Sequence, residues 1–164
     1  VHGKGGDKYD NIRIGLNGRM DTLQAAIVLE KFTLFPGEVK LRNEVAAKYN
    51  ELLSDRVVVP QVANGYTSVW AQYSILAKDA DDRAVLQAKL KDAGIPSAVY
   101  YPKPLHQQTA FNHLDYKDGD FPVSEEMSQR IFSLPMHPYL ETDDIERHCR
   151  YYSHGHQHCQ SCFE

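Results

Sequence analysis

Over residues 21–35 apolar side chains fall on nearly every face a helix can present, and such a helix has few places to sit in a water-soluble fold. Ala25, Val28, Leu29 and Phe32 recur at i, i+3, i+4 and i+7, and Leu23, Ala26 and Ile27 form a second stripe. The pattern predicts a helix buried between two layers. Asp21 or Thr22 is placed to cap its start, where a short oxygen side chain can satisfy free N–H groups. Pro36 and Gly37 predict its end, and a second helix over 38–53 then carries Val45, Tyr49, Leu52 and Leu53 on one side. The three cysteines, Cys149, Cys159 and Cys162, all lie in the last sixteen residues. No disulfide can staple the body of the chain, so its core must come from packing, for which 164 residues suffice.

Beyond residue 55 short strands alternate with helices. Residues 57–60, 69–77 and 95–101 are rich in β-branched and aromatic side chains and read as strands. Residues 81–93 place Leu86 and Leu90 at helical spacing ahead of Gly94, a C-terminal cap; further helices are expected over 123–132 and from Thr142. Residues 107–121 are irregular. Too few strands are present for a large parallel sheet, so the expected fold is α/β of the small α+β kind: about three strands covered by helices.

A net charge of −4 with interspersed signs offers no basic stripe, which argues against nucleic acid and anionic membranes as partners. No apolar run approaches the roughly 20 residues of a membrane span, and the N-terminus lacks a signal-peptide core, so a cytoplasmic setting is expected. Nucleophile-elbow, zincin, phosphate-loop and dinucleotide-binding motifs are missing from the sequence. One short stretch does point to a ligand. In "GLNGRMDTLQAA" Asn17 and Arg19 stand just before a helix start, whose positive dipole end disfavours a cation. An anion shared by Asn17, Arg19 and nearby N–H groups resolves that conflict.

The stretches "GLNGRMDTLQAAIVLEKF", "VWAQYSI", "GIPSAVYYPKPLHQQTAF", "FPVSEEMSQRIFSLPMHPYL" and "TDDIERH" follow one another in an order that resembles the C-terminal part of DegT-type nucleotide-sugar aminotransferases. These are pyridoxal-phosphate enzymes of the aspartate-aminotransferase fold (fold type I) that act on keto-sugars. "YYPKPLH" and "SVWAQY" look most like the members that aminate a UDP-linked 3-keto-2-acetamido uronate for surface polysaccharide. The resemblance implies that 1–20 ends a large domain with a loop crossing a dimer interface. Residues 21–54 would be connecting helices, 55–148 a small domain, and 149–164 an atypical tail. Asn17 would bond the cofactor phosphate in the partner subunit, and Arg19 would pair with a uronate carboxylate through its planar fork. Tyr100, Tyr101 and His106 would hold sugar or diphosphate oxygens, although strand alternation puts one of the two tyrosines in the core. His106, between Pro104 and two glutamines, reads as less buried, and His137 as part of a packed turn.

The resemblance further implies a homodimer that takes its amino group from an amino acid such as glutamate. The family's Schiff-base lysine would precede this segment, and neither Lys4 nor Lys8 matches it, so the chain alone should be inert. A deoxygenating enzyme of the same fold and a non-catalytic, metal-binding small domain are the alternatives. His148 and the ending "CRYYSHGHQHCQSCFE" after it crowd together His148, Cys149, His154, His156, His158, Cys159 and Cys162 with almost no aliphatic residues. That composition reads as a disordered or frame-shifted terminus binding metal only adventitiously, not as a structural zinc site. Finally, a three-stranded layer cannot cover the helix over 21–35, so an exposed apolar patch is expected along it.

Overall fold

The computed structural model describes residues 3–4, 6–7, 9–15 and 20–152. A short hairpin opens the chain, with β1 (Gly3–Lys4) antiparallel to β2 (Asn11–Arg13). There follows one long helix, α1 (Thr22–Leu53), where two were expected. Pro36 lies inside it rather than ending it. Proline removes the N–H that would bond the carbonyl of Phe32 and its ring crowds that carbonyl, but this part of the helix is open to solvent, so water can take the lost bond. Asp21 stands at the N-cap, but it acts through its backbone: its carbonyl accepts from the Ala25 N–H at 2.8 Å and its side chain makes no capping bond.

The first half of α1 is not sandwiched between layers. Leu23, Ile27, Leu29 and Phe32 are all well exposed, Leu23 at 81 %, as the patch expectation required. Among the described residues, the buried positions of α1 all lie in its second half: Val45, Ala46, Tyr49 and Leu53. The described residues build a single layer, and it is too small to reach the first four turns of the helix.

That layer is narrower than expected. β3 (Tyr73–Leu76) pairs antiparallel with β4 (Ile131–Leu134), in register from Tyr73 opposite Leu134 to Leu76 opposite Ile131. The segments at 57–60 and 95–101 contribute a single bridge each, Val58 to Leu76 and Ala98 to Ser133. Pro60 and Pro96 lack the N–H that a longer ladder would need. β3 is shorter than the apolar run 69–77 because Trp70 takes a left-handed backbone, φ 47°, which breaks the extension. β4 went unforeseen: α3 (Pro122–Arg130) ends at Arg130, and Ile131 and Phe132, assigned to a helix by the sequence reading, continue as strand. α2 (Ala80–Asp92) forms where expected, with the Asp79 carboxylate accepting from the Asp82 N–H at 2.9 Å and Gly94 closing it at φ 71°. α4 (Thr142–Cys149) is the last described helix.

The core lies between the sheet and the helices, and its centre is aromatic. Tyr49, Tyr73, Phe132, Leu53, Ile75 and Leu90 are fully buried. The Tyr49 ring stacks on Tyr73 with centroids 4.7 Å apart, and the Tyr73 hydroxyl donates to Asn50 Oδ1 at 2.6 Å. Trp70 Nε1 donates to Asn43 Oδ1 at 2.9 Å, while Asn43 Nδ2 donates to the Ser68 carbonyl at 3.0 Å. The Tyr49 hydroxyl donates to the Pro135 carbonyl at 2.9 Å and lies 2.7 Å from His148 Nδ1. A carbonyl cannot donate and a hydroxyl has one proton, so His148 must carry its proton on Nδ1 and give it to Tyr49 Oη. Burial holds the His148 imidazole below its ordinary pKa, which fits this neutral tautomer.

His148, Cys149 and Tyr152 therefore belong to the packed core, not to a loose tail. His154, His156, His158, Cys159 and Cys162 lie outside the described residues. Among the described residues no three metal-binding side chains cluster, and no helix is long and apolar enough to cross a membrane.

Candidate substrate-binding site

A cavity of about 640 Å³ opens where the N-terminal hairpin meets the loop over 100–108 and the inner face of α3. The hairpin is tied to that loop by polar contacts. The Asp10 carboxylate accepts from the Thr109 hydroxyl at 2.8 Å and from Lys103 Nζ at 3.1 Å, with the Thr109 N–H more distant at 3.3 Å. The Thr109 hydroxyl, followed by the Lys103 ammonium, holds the Asp10 carboxyl below the usual carboxylate range. Gln108 is buried beneath this seam: its Oε1 accepts from the Asn11 N–H at 3.0 Å and its Nε2 donates to the Lys103 carbonyl at 3.3 Å. Two prolines, Pro102 and Pro104, flank Lys103 and restrict its backbone, so the loop presents its side chains from a stiff frame.

Tyr100 and Tyr101 both line the cavity. Neither is core: Tyr100 is half-buried and Tyr101 is 64 % exposed. Their rings meet edge to face, and Tyr101 makes a second edge contact with Tyr9, so three aromatic rings form one wall. Ser124, Met127 and Ser128 of α3 supply part of the opposite side. Such a wall combines apolar faces with hydroxyl tips, which suits a sugar or a nucleoside.

His106 is placed differently from its expected exposure. Its side chain is only 7 % exposed and lies against Phe121, ring centroids 4.8 Å apart, lining a neighbouring apolar pocket of about 350 Å³. Its Nε2 is 2.9 Å from Glu125 Oε1. The same carboxylate accepts from the Gly119 N–H at 2.8 Å and the Phe121 N–H at 3.3 Å. These bonds, the Gly119 N–H foremost, keep the Glu125 carboxyl below its ordinary range. Glu125 thus gathers the irregular segment 106–121 onto the start of α3. His137 is exposed, and its Nδ1 accepts from the Tyr139 N–H at 3.2 Å within the turn after β4.

Asn17 and Arg19 lie outside the described residues. The structure brings Tyr100 and Tyr101 together on one cavity, with His106 in the adjoining pocket. Sequence reasoning missed Tyr9, Asn11, Lys103 and Gln108. Lys103 could have been found, as a cation set between two prolines in a loop already singled out; Gln108 carried no distinguishing signal.

The small antiparallel layer covered by helices is a fold shared with solved aminotransferases. The chain matches DesV from S. venezuelae with a TM-score of 0.75 at 26 % identity, covering 90 % of this chain and 39 % of that one. It belongs to the DegT/DnrJ/EryC1/StrS aminotransferase family, whose pattern matches residues 1–151. A family member from Brucella abortus is 49 % identical, with a TM-score of 0.74 over 92 % of this chain and 39 % of its own. The UDP-2-acetamido-2-deoxy-3-oxo-D-glucuronate aminotransferase of Pseudomonas aeruginosa is 43 % identical over 143 residues, 87 % of this chain and 38 % of that protein. The chain thus spans about two-fifths of the length of the relatives it matches. Aminotransferases of this family depend on pyridoxal phosphate.

Proposed function

We propose that this chain is the substrate-side, C-terminal portion of an enzyme that moves an amino group from glutamate to a UDP-linked 3-keto-2-acetamido uronate, for surface polysaccharide. The family match over residues 1–151 carries this reading. The 43 % identity to the P. aeruginosa enzyme supports the finer choice of sugar. Tyr100 and Tyr101 line the cavity wall against which the sugar nucleotide packs. His106, committed to Glu125, acts as a positioning residue that holds the loop behind that wall. Arg19 pairs with the uronate carboxylate and Asn17 with the cofactor phosphate of the partner subunit, as the family's N-x-R pattern implies; a site shared in this way requires a homodimer. The enzyme works in the cytoplasm, where nucleotide sugars are made.

The described residues do not by themselves fit pyridoxal phosphate. The described cavity lining holds one cation, Lys103, already paired with Asp10, and a compact phosphate dianion asks for several converging donors. When bound, the cofactor supplies the electron sink for moving the amino group. This chain's share is to bind and orient the sugar and to exclude water from the side facing α3.

The test uses the full-length enzyme that contains this segment, loaded with its cofactor. Adding glutamate should discharge the cofactor's long-wavelength absorbance, and the nucleotide keto-sugar should restore it. Tyr101→Ala should raise KM for the sugar about tenfold while leaving the glutamate step unchanged, as loss of packing against substrate predicts. An absorbance that glutamate does not change would refute the aminotransferase reading.

A further inference from the structure

We propose that Lys103 is the anion-reading residue of the cavity, exchanging its bond to Asp10 for an anionic group of the nucleotide sugar. The inference rests on the nucleotide-sugar reading above and assigns a specificity role to a residue of the YYPKPLH loop that the sequence analysis left without one. Three observations carry it.

First, the described residues around the 640 Å³ cavity include one charged side chain, and it is Lys103. The others are aromatic, amide, hydroxyl or apolar. Among the described residues, a diphosphate or a carboxylate entering this cavity meets a single formal positive charge, and that charge offers the anion a place to settle.

Second, Lys103 can leave its present partner at small cost. Its side chain is 37 % exposed, and the pair with Asp10 sits at the rim, where an ion pair contributes little. Asp10 does not depend on it, because the Thr109 hydroxyl lies 2.8 Å from both carboxylate oxygens and the Thr109 N–H adds a second donor. Moving the ammonium leaves no orphaned buried acceptor behind.

Third, the backbone that carries Lys103 is fixed. Pro102 and Pro104 bracket it, and its carbonyl is held by buried Gln108. Only the four-carbon stem and its compact charge are free to turn, which suits a point cation following an incoming anion. Arg83 of α2 is engaged by the Ser128 carbonyl at 2.7 Å and is unsuited to this exchange.

The anion has two possible sources on one substrate, the diphosphate and the sugar carboxylate, and the experiment separates them. Affinities of the full-length enzyme that contains this segment, loaded with cofactor, for UDP-glucuronate and UDP-glucose are measured by titration calorimetry across a salt series, for wild type, Lys103→Gln and Lys103→Arg. The expected result is a loss of about tenfold or more in Lys103→Gln, the worth of one charge-assisted hydrogen bond. It should come with a shallower salt dependence, and Lys103→Arg should stay within about threefold of wild type because the charge is kept. A loss confined to UDP-glucuronate assigns the carboxylate; an equal loss for both assigns the diphosphate. Unchanged affinity in Lys103→Gln, or a loss whose salt curve runs parallel to wild type, overturns the role of Lys103 while leaving the enzyme reading intact. Wild-type protein that binds neither nucleotide sugar overturns both.

Discussion

Replacing Tyr49 by phenylalanine isolates the polar bond at the centre of the core. The ring keeps its stacking on Tyr73 and creates no cavity, so only the hydroxyl is lost. That hydroxyl serves two groups, the Pro135 carbonyl at 2.9 Å and the His148 Nδ1–H at 2.7 Å. Each buried group left without a partner costs about 1–3 kcal/mol, so Tyr49→Phe should destabilise the chain by about 2–4 kcal/mol. This is a large fraction of the roughly 5–15 kcal/mol that holds a domain together. The assay is urea unfolding followed through Trp70, the single tryptophan of the chain and a buried neighbour of the same cluster. The midpoint should fall by about 1–2 M with an unchanged slope. Tyr49→Phe combined with His148→Leu should be less destabilising than the sum of the two, since both partners of one bond are then gone. A single-variant loss within about 0.5 kcal/mol of zero would refute the assigned bonds and the Nδ1–H tautomer of His148.

Because burial depresses the folded-state pKa of His148, the unfolded chain takes up a proton first as pH falls. Stability should therefore decline from about pH 6.5 downward until the depressed folded value is reached, and His148→Asn should flatten that slope in a pH series of melting curves. Glu125→Gln keeps the shape of the side chain but weakens its hold on Gly119 and Phe121, so hydrogen exchange at those two amides should quicken while β3 and β4 amides stay protected. Pro36→Ala should stabilise α1, by up to about 3 kcal/mol, by restoring an N–H inside a 32-residue helix; a loss of helicity by circular dichroism would show that the proline is required there. Ile27→Asp with Phe32→Asp should reduce apolar dye binding and aggregation of the 164-residue chain without lowering its melting temperature, since both side chains are exposed.

Local signals with one physical meaning were readable. The Leu86 and Leu90 spacing and Gly94 mark the body and end of α2, and Thr142 opens α4, while the Asp79 cap was not picked out. Signals that depend on surroundings were not. Pro36 ends a helix by local rules, yet the chain continues through it because the freed carbonyl faces solvent. Residues 21–35 read as doubly buried because periodicity reports how much apolar surface a helix carries and not whether this chain covers it. β4 was hidden because Ile131 and Phe132 continue the apolar spacing of α3, and only pairing with β3 makes them strand. At the candidate site the aromatic loop was legible from "YYPKPLH". The hairpin residues Tyr9, Asp10 and Asn11 that close over it were not, since they join the loop from about ninety residues away by polar contacts that leave no periodic trace. His106 shows the limit of flanking composition: prolines and glutamines suggested exposure, while Phe121 and Glu125 bury the ring.

The proposed transfer of an amino group to a nucleotide keto-sugar can be followed by isotope. The full-length enzyme that contains this segment, loaded with cofactor, is given glutamate labelled with nitrogen-15 at its amino group and the UDP-linked 3-keto-2-acetamido uronate, and the nucleotide sugar is weighed by mass spectrometry. The aminotransferase reading requires a nucleotide amino-sugar carrying the label. A nucleotide sugar that has lost oxygen without gaining labelled nitrogen, or one recovered unchanged while the cofactor is bound, would contradict it.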